Sequence, residues 1–156
     1  MKHYKQEHGY GCGIYSIANV LQNDKIINEE NILLSKNGNN QLQLNKMLID
    51  LGYDWGLSYI SYNNEKIIEI FDLEPKFEKD TLWIPFFIVI QSTMDKNHMI
   101  GCRYMKDGSI IVHDSLRDNP DLYDNFNDFK NKYDGMILSY ELLRNFENKL
   151  IIMKDL

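Results

Sequence analysis

The sequence predicts a single α+β domain, in which an N-terminal helical half packs on a C-terminal antiparallel sheet. Apolar residues recur at helical spacing in the first half, whereas continuous β-branched and aromatic runs dominate the second. The length of 156 residues is typical of one domain. No repeat, low-complexity tract or linker divides the chain, so we expect one domain over residues 1–156.

Four helices are expected in the N-terminal half. The first begins near Cys12, the second covers residues 29–35, the third ends at Gly52, and the fourth follows Asn64. The first, third and fourth helices each place apolar side chains on one face. In order, these side chains are Ile14, Ile17, Ala18 and Leu21; Leu44, Met47, Leu48 and Leu51; and Ile67, Ile70 and Phe71.

The second half is expected to consist of strands with one helix among them. The predicted strands cover residues 83–90, 98–104, 109–114, 136–140 and 150–153. The run over residues 83–90 is apolar throughout, as in a strand that is buried on both faces. Asn119-Pro120 is expected to open the helix, and Gly135 to end it. The apolar face of this helix would consist of Leu122, Phe126, Phe129 and Tyr133.

A tight hairpin is predicted between the strands at 98–104 and 109–114, because Asp107-Gly108 is a strong turn signal. A two-residue turn at this dipeptide would set Asp114 opposite Gly101, three residues from His98. In that register, contact between His98 and Asp114 would depend on a bulge or on the twist of the sheet.

Charge and composition exclude several classes of protein. The net charge of −6, the pI near 5.2 and the scattered basic residues argue against nucleic-acid binding. The longest apolar run, residues 82–90, is shorter than the roughly 20 residues of a membrane span. No secretory signal is visible, and Cys12 and Cys102 are too few and too distant for a disulfide framework or a zinc site. We therefore expect a cytoplasmic protein without metal or cofactor.

The segment 6–13 leads directly into the first helix and is the most informative part of the chain. A cysteine at a helix N-terminus is exposed to the positive end of the helix dipole, which favours the nucleophilic thiolate. The glycines around Cys12 allow a substrate to approach the backbone and leave amides for an oxyanion, and Gln6 offers a second donor. A thiol nucleophile also needs a base and a group that orients it, for which His98 and Asp114 are the candidates.

The remaining residues of these types are expected to be structural. Cys102 lies within a strand pattern and is expected in the core. His113 precedes Asp114 and so would point to the opposite face of its strand, and His3 and His8 lie in a polar segment. A solvated helix face is expected for Asp118, Asp121, Asp124 and Asp128.

Together these motifs resemble the papain-like cysteine peptidases. Gln6, then Cys12-Gly13 on an apolar helix, then His98-Met-Ile-Gly and a hairpin ending in Asp114 follow the order found in that superfamily. Within it, the chain most resembles the bacteriocin-processing peptidase domains and their stand-alone relatives. The resemblance covers roughly residues 5–140. One departure is Asp114-Ser115, where those relatives usually have Asp-Pro.

The resemblance implies a papain-like fold and a thiol hydrolase that acts through an acyl-enzyme. By it, Cys12 is the nucleophile, His98 the general base and acid, and Asp114 the orienting group, while Gln6 is an oxyanion donor. The expected partner is a peptide or protein substrate cleaved after a small residue, in a pocket lined by Trp83, Tyr10 and Trp55. Two alternatives stay open, namely an inactive papain-like binding module and a cysteine amidase or transglutaminase-like acyl transferase.

Overall fold

The computed structural model describes residues 1–61, 63–73, 83–91 and 97–154. Helices and strands follow one another as α1 (Cys12–Leu21), a short 3₁₀ helix (Asp24–Ile26), α2 (Glu29–Leu34), α3 (Gln41–Asp50), β1 (Trp55–Ser61), α4 (Asn64–Leu73), β2 (Trp83–Gln91), β3 (Asn97–Met105), β4 (Ile110–His113), β5 (Asp121–Tyr123), α5 (Phe126–Lys132) and β6 (Ile137–Asn145). The α+β class is confirmed, with N-terminal helices packed on an antiparallel sheet.

In the described part of the chain, the sheet has six antiparallel strands in the order β1-β6-β2-β3-β4-β5. Helices α1 and α3 share one apolar cluster with residues of the sheet, and α4 and α5 share another. Along β2 the side chains alternate between them, since Phe86 and Ile88 belong to the α4/α5 cluster and Phe87 to the α1/α3 cluster. The prediction that this strand is buried on both faces is confirmed.

The four predicted N-terminal helices are all present, and local sequence signals explain their ends. Asn28 and Asn40 cap α2 and α3 by accepting a hydrogen bond from the third helical amide. Gly52 adopts a left-handed conformation with φ +94° just beyond α3, which explains why the helix stops there.

Strand β1 was not predicted, because its buried side chains do not alternate in the usual way. Leu57 packs into the α1/α3 cluster, whereas Ile60, three residues later, packs into the α4/α5 cluster. Each face of the strand therefore receives one buried apolar residue, which leaves no period of two for the sequence to reveal. Over residues 1–61 and 63–73, the chain is helical with this one strand inserted.

The predicted helix from Asn119-Pro120 was wrong in its first half. Residues 121–123 form the edge strand β5, in which Leu122 is 66% exposed. The helix begins only at Phe126, where the Asn125 side chain caps it by accepting from the amide of Asp128 at 2.8 Å. The four aspartates consequently do not share a helix face.

The C-terminal strands also differ from the prediction. Strand β6 continues to Asn145, five residues beyond the predicted end, and pairs with both the edge strand β1 and β2. Residues 150–153 form no strand, although Leu150 and Met153 make isolated bridges to Arg144 and Trp83. No helix in the described ranges has the length and apolarity needed to cross a membrane.

Candidate active site

Helix α1 is held against β3 by close packing and by polar contacts. A Cβ atom on Gly101 would lie 2.7 Å from the carbonyl oxygen of Ser16, so only glycine permits this approach. The Ser16 hydroxyl donates to the Met99 carbonyl at 2.7 Å. The buried guanidinium of Arg103 lies over the Trp83 ring and donates to the Val20 carbonyl near the end of α1. These contacts fix α1, and with it Cys12, relative to β3.

The first turn of α1 is free of side-chain caps. Gly11 is the N-cap residue, with φ +96° and no side-chain hydrogen bond to the helix, and Cys12 is the first helical residue. The backbone amides of a first turn have no partner within the helix. The thiol therefore lies at the positive end of the helix dipole, where the Gly13 amide donates to it, as expected for a nucleophilic cysteine.

The hairpin register explains how His98 and Asp114 meet, and it corrects the prediction. The loop has three residues, because the Met105 amide donates to the Ser109 carbonyl at 2.8 Å and Cys102 pairs with Val112. Continued by one residue, this register sets Asp114 opposite Ile100, on the same face of the strand as His98. The two-residue turn would have set it opposite Gly101, on the other face.

His98 and Asp114 are in direct contact. His98 Nε2 donates to Asp114 Oδ1 at 2.7 Å, and both side chains are largely buried. The same carboxylate accepts from the Leu116 amide at 3.1 Å and lies 3.8 Å from the Arg117 guanidinium. Burial opposes the charged form, but the hydrogen bonds from His98 and Leu116 hold the pKa of Asp114 below its usual range. The carboxylate is thus a fixed anion behind the imidazole.

Cys12 is hydrogen-bonded to His98 from the other side. Since Nε2 faces Asp114, Nδ1 is the ring nitrogen left for the thiol. Burial raises the pKa of Cys12, but the hydrogen bonds from His98 and the Met99 amide outweigh it, and the net pKa lies below the usual value. Burial lowers the pKa of His98, while the hydrogen bonds to Asp114 and Cys12 raise it to about 9. Both shifts favour a thiolate paired with an imidazolium.

Gln6 is positioned through the residue that follows Asp114. Its backbone amide donates to the Ser115 carbonyl at 2.7 Å, and the Ser115 hydroxyl donates to Gln6 Oε1 at 2.9 Å. Gln6 Nε2 donates to the His8 carbonyl at 2.7 Å, which uses one of its two hydrogens. No role was predicted for Ser115. The signal that could have found it is its place directly after Asp114, where the peptidases that the chain resembles usually have proline.

A cavity of about 640 Å³ opens beside Cys12, within the range of small-ligand sites. It lies between the start of α1, the loop before α3, and strands β2, β3 and β6. Tyr10 lines it as predicted, but Trp83 and Trp55 are not among the lining residues. Trp83 is buried beneath Arg103. The prediction that the two tryptophans line the pocket was therefore wrong. The lining contains polar residues that the sequence did not point to, among them Asn39 and Glu141.

The side chains of the other cysteine and histidines do not contact Cys12, His98 or Asp114 in the described residues. Cys102 is fully buried in the α4/α5 cluster, where burial raises the pKa of its thiol. His113 is buried against His3, with Nδ1 atoms 3.0 Å apart, and His8 stacks on Tyr10. In the described part of the chain, no group of three or more His, Cys, Asp or Glu side chains is arranged to hold a metal ion.

The chain matches no protein-family model, and a search of curated proteins returns no match either. The function is therefore inferred from the geometry of the site.

Proposed function

We propose that this protein is a cysteine-dependent acyl-transfer enzyme, a papain-like peptidase in which Cys12, His98 and Asp114 act as a triad. The observation that supports this most strongly is the arrangement of Asp114, His98 and Cys12 around the imidazole ring. Asp114 holds one ring nitrogen of His98 at 2.7 Å, the other faces Cys12, and the thiol borders a cavity of about 640 Å³. The motifs resemble those of the bacteriocin-processing peptidases, and we include membership of that group in the proposal.

In the acylation step, the Cys12 thiolate attacks the carbonyl carbon of a peptide bond. The carbonyl electrons move to oxygen, and the resulting oxyanion is received by first-turn amides of α1 and by the second hydrogen of Gln6 Nε2. The oxyanion then reforms the carbonyl as the C–N bond breaks. The His98 imidazolium gives its proton to the departing amine, and Asp114 keeps the ring in the orientation for this transfer.

In the deacylation step, water attacks the thioester. His98 takes a proton from the water, the acid product leaves, and the thiolate and the imidazolium are restored. If an amine replaces water at this step, the same intermediate gives a new amide. Product analysis with and without an added amine therefore separates hydrolysis from acyl transfer.

Alkylation by iodoacetamide at pH 6–7 tests the activated pair. At this pH an ordinary thiol is mostly protonated, so we expect Cys12 to be modified about 100-fold faster than in the His98→Ala variant. The buried Cys102 provides an internal reference within each sample. Mass spectrometry of the intact protein and of its peptides gives both rates.

The matched control is His8→Ala, which removes an exposed imidazole without touching the triad. It should leave the labelling rate of Cys12 unchanged. Slow labelling of Cys12, at the rate of Cys102, would refute the proposal, as would a rate that does not depend on His98. Circular dichroism of each variant verifies that it is folded.

A further inference from the structure

A buried carboxyl group lies in the wall of the Cys12 cavity. Glu141 lies in the middle of β6, pairs with Tyr59 of β1 and Phe87 of β2, and is 7% exposed. Its neighbour Leu143, two residues along the strand, belongs to the α1/α3 cluster, so Glu141 faces the layer that carries Cys12. A carboxyl group is thus buried between Ser139 and Leu143, on the face of the strand that packs against the α1/α3 layer.

This carboxyl group makes no compensating contact with any residue that the structure describes. Throughout residues 1–61, 63–73, 83–91 and 97–154, no hydrogen bond or ion pair to the Glu141 side chain is found. Burial raises the pKa of the group, which expresses the cost of holding a charge there. Burying an unpaired carboxylate is strongly unfavourable, and an apolar residue would serve packing better. A ligand that brings a positive charge would remove this cost.

A second unsatisfied group lines the same cavity. Asn39 Nδ2 is buried and has no hydrogen-bond partner among the described residues. An amide donor of this kind is suited to a backbone carbonyl of a bound peptide, while the carboxylate is suited to a cation. Lys36, the other charged side chain in the lining apart from the site itself, is exposed and is not paired with Glu141.

We propose that Glu141 binds the cationic side chain of a lysine or arginine in the peptide that Cys12 attacks, and that Asn39 donates a hydrogen bond to the backbone of the same peptide. This inference rests on the proposed function, because it places the basic residue near the bond that is cleaved. The net charge of −6 also favours the approach of a basic substrate.

The test uses acetylated tripeptide vinyl sulfones, which alkylate a reactive cysteine. Lysine or its neutral isostere norleucine is placed at each of the three positions in turn, with alanine elsewhere. Each labelling rate is divided by the iodoacetamide rate of the same variant, which reports thiol reactivity without a side chain to recognise. We expect about tenfold faster labelling with lysine than with norleucine at one position. That preference should disappear in Glu141→Gln.

Glu147→Gln is the matched control, since it also removes one negative charge, but from a side chain that is 77% exposed. It should retain the preference for lysine. Equal rates for lysine and norleucine at every position would overturn the proposal, and so would an unchanged preference in Glu141→Gln.

Failure of the triad itself gives a different result. In that case no probe labels Cys12 faster than Cys102, and iodoacetamide labelling is slow as well. The recognition proposal is then decided by equilibrium binding of fluorescent tripeptide carboxamides to the Cys12→Ala variant. Tighter binding of the lysine peptide that is lost in Cys12→Ala/Glu141→Gln supports it, and equal binding of the lysine and norleucine peptides overturns it.

Discussion

Replacing Asp114 by asparagine keeps an oxygen acceptor beside His98 but removes the negative charge. Burial opposes the charged form of His98, yet the imidazole pKa is about 9 in the folded protein, against 6.5 for an ordinary histidine, which corresponds to about 3 kcal/mol of net stabilisation of the charged ring. The hydrogen bond to Asp114 is the largest contribution that favours the charged form. We assign about half of the total to the carboxylate, which is about a tenfold change in the population of the thiolate–imidazolium pair.

The assay is the rate of Cys12 alkylation by iodoacetamide as a function of pH. In the wild type the thiolate should be present well below the usual cysteine pKa, because His98 stays protonated up to about pH 9. In Asp114→Asn the pKa of His98 falls and that of Cys12 rises, so the rate at pH 6 should drop about tenfold and the rising limb should move to higher pH. Two superimposable pH profiles would refute the assigned role of the carboxylate.

Three further predictions follow from individual contacts. Gly101→Ala should lower the free energy of unfolding by about 1–3 kcal/mol, because the new methyl would lie 2.7 Å from the Ser16 carbonyl; an unchanged urea midpoint would contradict this packing. Burial lowers the pKa of His113 to about 4, so the unfolded chain binds protons more tightly and stability is lost as pH falls from 6.5 towards 4. Urea titrations should show a loss of about 2 kcal/mol between pH 7 and 5 that is absent in His113→Leu, and equal losses in the two proteins would count against it. Gln6→Ala should slow acylation by a peptide ester about 100-fold while iodoacetamide labelling of Cys12 is retained, and a parallel fall in both rates would argue against an oxyanion role.

Much of the fold could be predicted from sequence signals that involve only neighbouring residues. The apolar spacing after Cys12, the stop at Gly52 and the continuous run in β2 each depend on residues close in sequence, and each was predicted correctly. Strand β1 and the edge strand β5 were missed because tertiary pairing decides them. Leu57 and Ile60 serve opposite faces of the sheet, and Leu122 is exposed at its edge.

The candidate site likewise contains residues that local sequence signals predict and contacts that depend on tertiary pairing. Helix position and flanking glycines select Cys12 from the sequence, but the contact between His98 and Asp114 depends on the length of the hairpin loop. Asp107-Gly108 indicates a turn without specifying two residues or three, and the third residue changes the face on which Asp114 lies. Glu141 carries no such local signal, because only its burial between β1 and β2 makes its charge notable.

The acyl-enzyme is the intermediate on which the proposed chemistry depends. Incubation with p-nitrophenyl acetate, followed by rapid acid quenching and mass spectrometry, detects it directly. We predict a burst of p-nitrophenolate together with an acetyl group on the peptide that contains Cys12, both absent from Cys12→Ala and strongly reduced in His98→Ala. Acetylation that is absent from Cys12, or that occurs there equally fast without His98, would contradict the assignment of this site as an acyl-transfer centre.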